Sequence, residues 1–73
     1  MSRLVEYIQA ELLETIQIRQ LKGEELPDLN STVIYHLADS IAFEWKEVGD
    51  RCDDIQRYID AVLNQYIARW KKS

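Results

Sequence analysis

The chain has 73 residues, with 13 acidic residues against nine Lys and Arg residues and a net charge of −4. This length excludes a multidomain enzyme and a nucleotide-binding βαβ domain, and a single cysteine excludes an intrachain disulfide scaffold. Apolar residues make up 47% of the sequence and charged residues 30%, which is typical of a globular domain and not of a disordered chain.

A domain of this size has few means of stabilising itself. It buries only about 60% of the surface that its unfolded chain exposes, and short chains commonly depend on disulfides, a metal or association. One cysteine and one histidine provide neither an intrachain disulfide nor a zinc cluster. We therefore expect a homo-oligomer or a chain that binds another protein.

The sequence is typical of a soluble cytoplasmic protein. The lone thiol of Cys52 suits a reducing compartment. The N-terminal residues do not resemble a signal peptide, because Glu6, Glu11 and Glu14 make them acidic and amphipathic. No apolar run approaches the roughly 18 residues of a membrane span, so we expect no membrane partner.

Helix formers dominate the chain, and two glycines and one proline leave room for long helices. The first predicted helix covers residues 4–22 and ends at Gly23, a residue typical of helix C-termini. Its apolar residues recur at helical spacing and form one stripe. The stripe consists of Leu4, Val5, Ile8, Leu12 and Ile16. Tyr7, Ile18 and Leu21 fall on a different side of this helix.

A loop at residues 23–30 separates the first helix from the second, which we predict at residues 32–48. Asp28, Asn30 and Ser31 are alternative N-caps for the second helix. Its broad apolar stripe consists of Val33, Ile34, Leu37, Ala38, Ile41, Trp45 and Val48. Small side chains on this helix favour the close approach of a neighbouring helix.

Two residues of the second helix lie opposite its stripe. Phe43 falls nearly opposite the stripe centre, and His36 lies one heptad earlier on the same outer face. His36, with Asp39 three residues later, is a candidate general base or metal ligand. One nitrogen donor without a second His or a nearby Cys falls short of a zinc site, however. We therefore interpret His36 as an exposed surface residue.

The third predicted helix covers residues 51–71 and follows a break at Gly49 and Asp50. Its stripe consists of Ile55, Ile59, Val62, Leu63, Tyr66, Ile67 and Trp70. The third helix also fits a continuation of the second with only a bend. We therefore predict an all-α fold in one domain over residues 1–73, as a three-helix bundle or a bent helical hairpin.

Four carboxylates have the spacing of a candidate metal-binding motif. The spacing of Glu11 with Glu14, and of Glu47 with Asp50, resembles the ExxE and ExxD motifs with which all-α nucleotide pyrophosphohydrolases bind magnesium. The resemblance implies a magnesium-dependent nucleotide hydrolase, provided that the acids converge on one pocket. The alternative is a solvated acidic face with pairwise helix electrostatics, and we favour it.

Other signs of catalysis are weak. Acidic neighbours disfavour a thiolate at Cys52, so we interpret this residue as a small apolar filler of the core. One histidine and two isolated glycines support neither a Gly-x-Ser-x-Gly nucleophile nor a phosphate-binding loop. We expect no enzymatic activity, no cofactor and no metal.

The charge is unevenly distributed, because residues 55–73 carry four bases and one acid in an otherwise acidic chain. Tyr66, Arg69, Trp70 and Lys71 interleave aromatic and basic side chains. This pattern suggests a nucleic-acid-associated regulator as an alternative function. Cations at a helix C-terminus also stabilise the helix dipole, and the acidic body disfavours nucleic acid as the main partner.

Apolar and aromatic residues remain after the three stripes are assigned. Interface cores are rich in aromatic residues, so we predict a partner-binding surface from these remaining side chains and their neighbours. The candidate residues are Tyr7, Ile18, Leu21, Phe43, His36 and Trp70. We expect a small acidic adaptor or regulator that acts by masking or assembling another protein. Small bacterial and phage regulators offer an analogy for such a chain.

Overall fold

The computed structural model describes residues 3–48 and 54–72, which form three α-helices around one core. Helix α1 is Arg3–Leu21, α2 is Ser31–Val48 and α3 is Ile55–Lys72. The all-α prediction is confirmed, and the helices form a compact three-helix arrangement with principal extents of 33 × 24 × 22 Å.

The buried residues of the core belong to the predicted stripes, with the exception of Ala42. Among the described residues, every buried side chain is aliphatic. The buried residues are Val5, Ile8, Leu12, Ile16, Ile34, Ala38, Ile41, Ala42, Ile59, Leu63 and Ile67. Ala38 and Ala42 lie in this core, where their small side chains leave room for neighbouring helices. All three helices therefore depend on one shared apolar cluster.

Helix α1 ends in a glycine cap. Gly23 has a φ of 80°, and its N–H donates to the carbonyl of Gln20 at 3.0 Å. The N–H of Glu24 donates to the carbonyl of Arg19 at 3.1 Å. This pair of bonds is a Schellman motif, which satisfies carbonyls at the end of the helix. The predicted stop at Gly23 is confirmed.

Asn30 begins helix α2. Its Oδ1 accepts a hydrogen bond from the N–H of Val33 at 2.9 Å, as an N-cap does. The structure thus selects Asn30 among the three candidate caps. The preceding loop returns to the bundle, since Leu26 and Leu29 are half-buried against the core.

Helix α3 begins directly after Asp54. Asp54 is its N-cap, because Oδ1 of Asp54 accepts a hydrogen bond from the N–H of Gln56 at 3.0 Å. The helix begins at Ile55, with a cap of its own. The predicted start at residue 51, the break at Gly49 and Asp50, and the interpretation of Cys52 concern positions outside the described residues.

The glycine cap predicts a specific cost of substitution. Gly23→Ala should lower the free energy of unfolding by about 1 kcal/mol, because L-residues disfavour this left-handed conformation. No atom lies within 4 Å of a Cβ at this position, so the loss reflects backbone strain and not a clash. Gly23→Asn is the control and should lose less, since Asn tolerates positive φ. Urea unfolding measures both, and equal stability of Gly23→Ala and wild type would contradict the assignment.

The N-cap of α2 predicts a second effect on stability. Asn30→Ala should cost about 1 kcal/mol, because the N–H of Val33 loses its acceptor. Asn30→Asp keeps an acceptor oxygen and should retain most of the stability. Thermal unfolding followed by circular dichroism compares the two variants. Equal losses in both would show that the cap is not the relevant interaction.

Candidate protein-binding surface

Three of the predicted surface residues lie on an exposed face of α1. Tyr7 and Ile18 are each 45% exposed, and Leu21 is 88% exposed. Tyr7 and Ile18 are eleven residues apart, or three helical turns, and Leu21 follows one turn after Ile18. Helical spacing therefore places the three apolar side chains on one side of α1, away from its buried stripe.

Helix α2 presents the most exposed aromatic side chain of the described chain. Phe43 is 73% exposed, and His36, two turns earlier, is also exposed. The ring of Tyr35 lies edge-on to His36, with centroids 6.2 Å apart. His36 therefore lies beside an aromatic ring on the surface of α2. The described residues contain no group of three His, Cys, Asp or Glu side chains that could hold a metal.

Trp70 lies in the last turn of α3 and is 37% exposed. The sequence assigned it both to the apolar stripe and to the partner-binding surface. Its partial exposure is compatible with both, since an indole ring can pack on one side and remain accessible on the other. Arg69 and Lys71 flank it in the chain, and both are exposed.

Two exposed apolar residues were missed by the sequence reasoning. Leu13 is 47% exposed and Tyr35 is 42% exposed. The sequence did indicate the exposure of Leu13, because this residue falls outside the buried stripe of α1, as Ile18 does. Tyr35 directly precedes His36 beside the outer face of α2 and extends the aromatic surface there.

A groove of about 370 Å³ runs between α1 and α3. It is lined by Glu11, Glu14, Thr15, Ile18, Arg19, Lys22, Gln56, Ile59 and Asp60. Three carboxylates and two cations line this groove together with two isoleucines. The side chain of Arg19 is only 16% exposed, and its guanidinium nitrogens lie 3.6 Å from Glu24 and 3.8 Å from Asp60.

The groove contains two of the four carboxylates whose spacing resembles a magnesium-binding motif, Glu11 and Glu14. The amide of Gln56 donates to the carboxylate of Glu11 at 2.5 Å, so Glu11 faces α3. Glu14 lines the same groove, but no residue of α2 does. Glu47 therefore does not join Glu11 and Glu14 there, and Asp50 lies outside the described residues. Convergence of these acids on one pocket, which magnesium binding requires, is not found for Glu47.

Tyr58 connects α3 to α2. Its hydroxyl donates a hydrogen bond to the carboxylate of Glu44, and its ring lies 5.8 Å from that of Trp45, tilted by 46°. Burial, the hydrogen bond to Glu44 and the negative charge of Glu44 together raise the pKa of Tyr58 to about 12, and burial is the largest cause. The neutral phenol is therefore the form that the folded chain favours.

Comparison of the chain with protein-family models, with curated proteins and with solved structures finds no match. Among the described helices, none is both long and apolar enough to cross a membrane.

The Tyr58 phenol predicts a loss of stability in alkali. Its pKa in the folded chain, about 12, exceeds the value of about 10 for an unfolded chain. The contribution of this neutral group is therefore complete below pH ~10 and is lost as the pH rises to ~12. Tyr58→Phe should be less stable than wild type by about 1 kcal/mol at pH ~9.

The difference between wild type and Tyr58→Phe should shrink between pH ~10 and ~12, because only wild type then loses the neutral hydroxyl. Urea unfolding at several pH values measures it. Tyr35→Phe, which removes the hydroxyl of an exposed ring, is the matched control and should cost less stability than Tyr58→Phe at pH ~9. A constant difference between wild type and Tyr58→Phe would contradict the role given to the phenol.

Proposed function

We propose that this chain is a small acidic adaptor or regulator without enzymatic activity, which binds another protein through its exposed apolar helical surface. The observation that carries the proposal is the 73% exposure of Phe43 on the outer face of α2. Burying an aromatic side chain of this size contributes about 1.5–3 kcal/mol. Because Phe43 stays mostly exposed in the folded chain, most of this free energy remains available for association.

The exposed face of α1 supports the same proposal. Leu21 is 88% exposed, and Tyr7 and Ile18 lie on the same side of the helix. Single exposed apolar residues are common on protein surfaces, but Ile18 and Leu21 lie one turn apart and form a small apolar patch, with Tyr7 three turns from Ile18 on the same side. A few such side chains can supply most of the binding energy.

The proposed mechanism is occupancy. The chain would cover a surface of its partner, or hold two partners together, by burying apolar side chains of α1 and α2. The net charge of −4 favours a partner with a basic surface, because complementary charge accelerates association and selects among partners.

Phe43→Asp tests the proposed surface. The substitution should reduce capture of the partner by at least about tenfold, because a carboxylate replaces the central apolar anchor. Helicity should be unchanged, since the position is exposed. The measurement is affinity co-purification of the tagged chain from its native cells, with quantification of each co-purifying protein by mass spectrometry.

Ala61→Asp is the matched control, because Ala61 is exposed on α3 and the substitution adds the same charge. It should leave partner capture unchanged. Loss of helicity in Phe43→Asp would show that Phe43 belongs to the core. Equal capture by wild type and Phe43→Asp would refute the proposed surface.

A further inference from the structure

The exposed surface around Phe43 is acidic at both ends. Asp39 lies one turn before Phe43 and Glu47 one turn after it, and both are exposed. Lys46 adds one cation on the neighbouring flank, but α2 as a whole carries more acids than bases. We call Asp39, Phe43 and Glu47 the acidic aromatic patch.

The last turn of α3 has the opposite character. Arg69, Lys71 and Lys72 are basic and exposed, and they surround Trp70, which is 37% exposed. No acidic residue follows Asp60 in the sequence. We call Arg69, Trp70, Lys71 and Lys72 the basic aromatic patch.

The charged side chains of these two patches form no ion pairs within the described part of the chain. Over residues 3–48 and 54–72, neither acid of the acidic aromatic patch forms an ion pair, and none of the three cations of the basic aromatic patch does. Each patch therefore offers exposed charge beside an exposed aromatic ring, and the two signs are opposite. The helix dipole of α3 favours cations at its end but leaves their side chains accessible.

We propose that the occupant of the acidic aromatic patch is a second copy of this chain, which docks there through its basic aromatic patch. Since each copy carries both patches, the contact can be made twice across a two-fold axis and closes as a dimer. Such a dimer also adds apolar burial to a domain that is too small to bury much by itself.

The two kinds of side chain contribute differently to this contact. Each exposed ion pair contributes only about 0–1 kcal/mol and is weakened by salt. Phe43 and Trp70 supply the apolar burial, whereas the charges orient the two copies and accelerate their encounter. The association is therefore expected to depend on Phe43 and to weaken as the salt concentration rises.

The inference rests on the proposed function in one respect, because it uses the same exposed Phe43. Self-association and binding of another protein then compete for this residue, so dimerisation holds the adaptor surface covered until a partner displaces the second copy. The two ideas fail separately, since self-association is measured with the purified chain alone and partner capture is measured in a cell extract.

Sedimentation equilibrium of the purified 73-residue chain tests the dimer. We expect a species of twice the 8.6 kDa mass of the chain, with a dissociation constant that rises at least about tenfold between about 50 mM and about 500 mM salt. Phe43→Asp should be monomeric. A wild-type chain that remains monomeric at all concentrations would overturn the inference.

A charge exchange identifies the surfaces. Asp39→Lys with Glu47→Lys makes both patches basic, and Lys71→Glu with Lys72→Glu makes both patches acidic. Each double variant should be monomeric alone, and a one-to-one mixture of the two should form a heterodimer. The heterodimer should weaken when Phe43→Asp is added to the first double variant, and it should disappear when Phe43→Asp is added to both. Dimers that persist in either double variant alone would place the interface elsewhere and overturn the inference.

Arg57→Glu is the control for net charge, because Arg57 is an exposed cation at the opposite end of α3. It changes the charge by as much as the single substitution Lys71→Glu, which should weaken the dimer, whereas Arg57→Glu should leave the dimer intact. Nucleic acid is the competing occupant of the basic aromatic patch. Salt-sensitive binding of duplex DNA or RNA by a chain that stays monomeric would assign the patch to phosphate and overturn the inference.

Discussion

The shared aliphatic core is the constraint on which this structure depends. Among the described residues, all buried side chains are aliphatic, and no polar or charged side chain is buried. Three helices of 18 or 19 residues use one stripe each for this core, so the remaining faces are left to solvent. The proposed partner-binding residues accordingly lie on the outer surfaces of these helices.

Polar contacts at the edge of the core hold α3 against the other two helices. The bond from Gln56 to Glu11 joins α3 to α1, and the bond from Tyr58 to Glu44 joins α3 to α2. These groups remain partly accessible, so each contributes little to stability compared with the aliphatic core.

Helical periodicity predicted most of the fold, because burial follows spacing along the chain. It identified the stripe of α1 and the outward position of Phe43, whose exposure is 73%. It did not distinguish Asn30 from neighbouring caps, since several residue types cap equally well. Contacts such as that of Gln56 with Glu11 were not predictable, because they depend on how two helices are rotated against each other.

The separation of core and surface has a consequence for function. Side chains such as Phe43 and Leu21 contribute little to the core, so substitutions there can change association while the fold is retained. An exposed aromatic ring alone is not unusual. Phe43 differs because Asp39 and Glu47 flank it without ion pairs over the described ranges. The end of α3 carries exposed cations, which have the opposite charge. Charges that folding does not use are available to select an orientation, and apolar surface that folding does not bury is available to stabilise it.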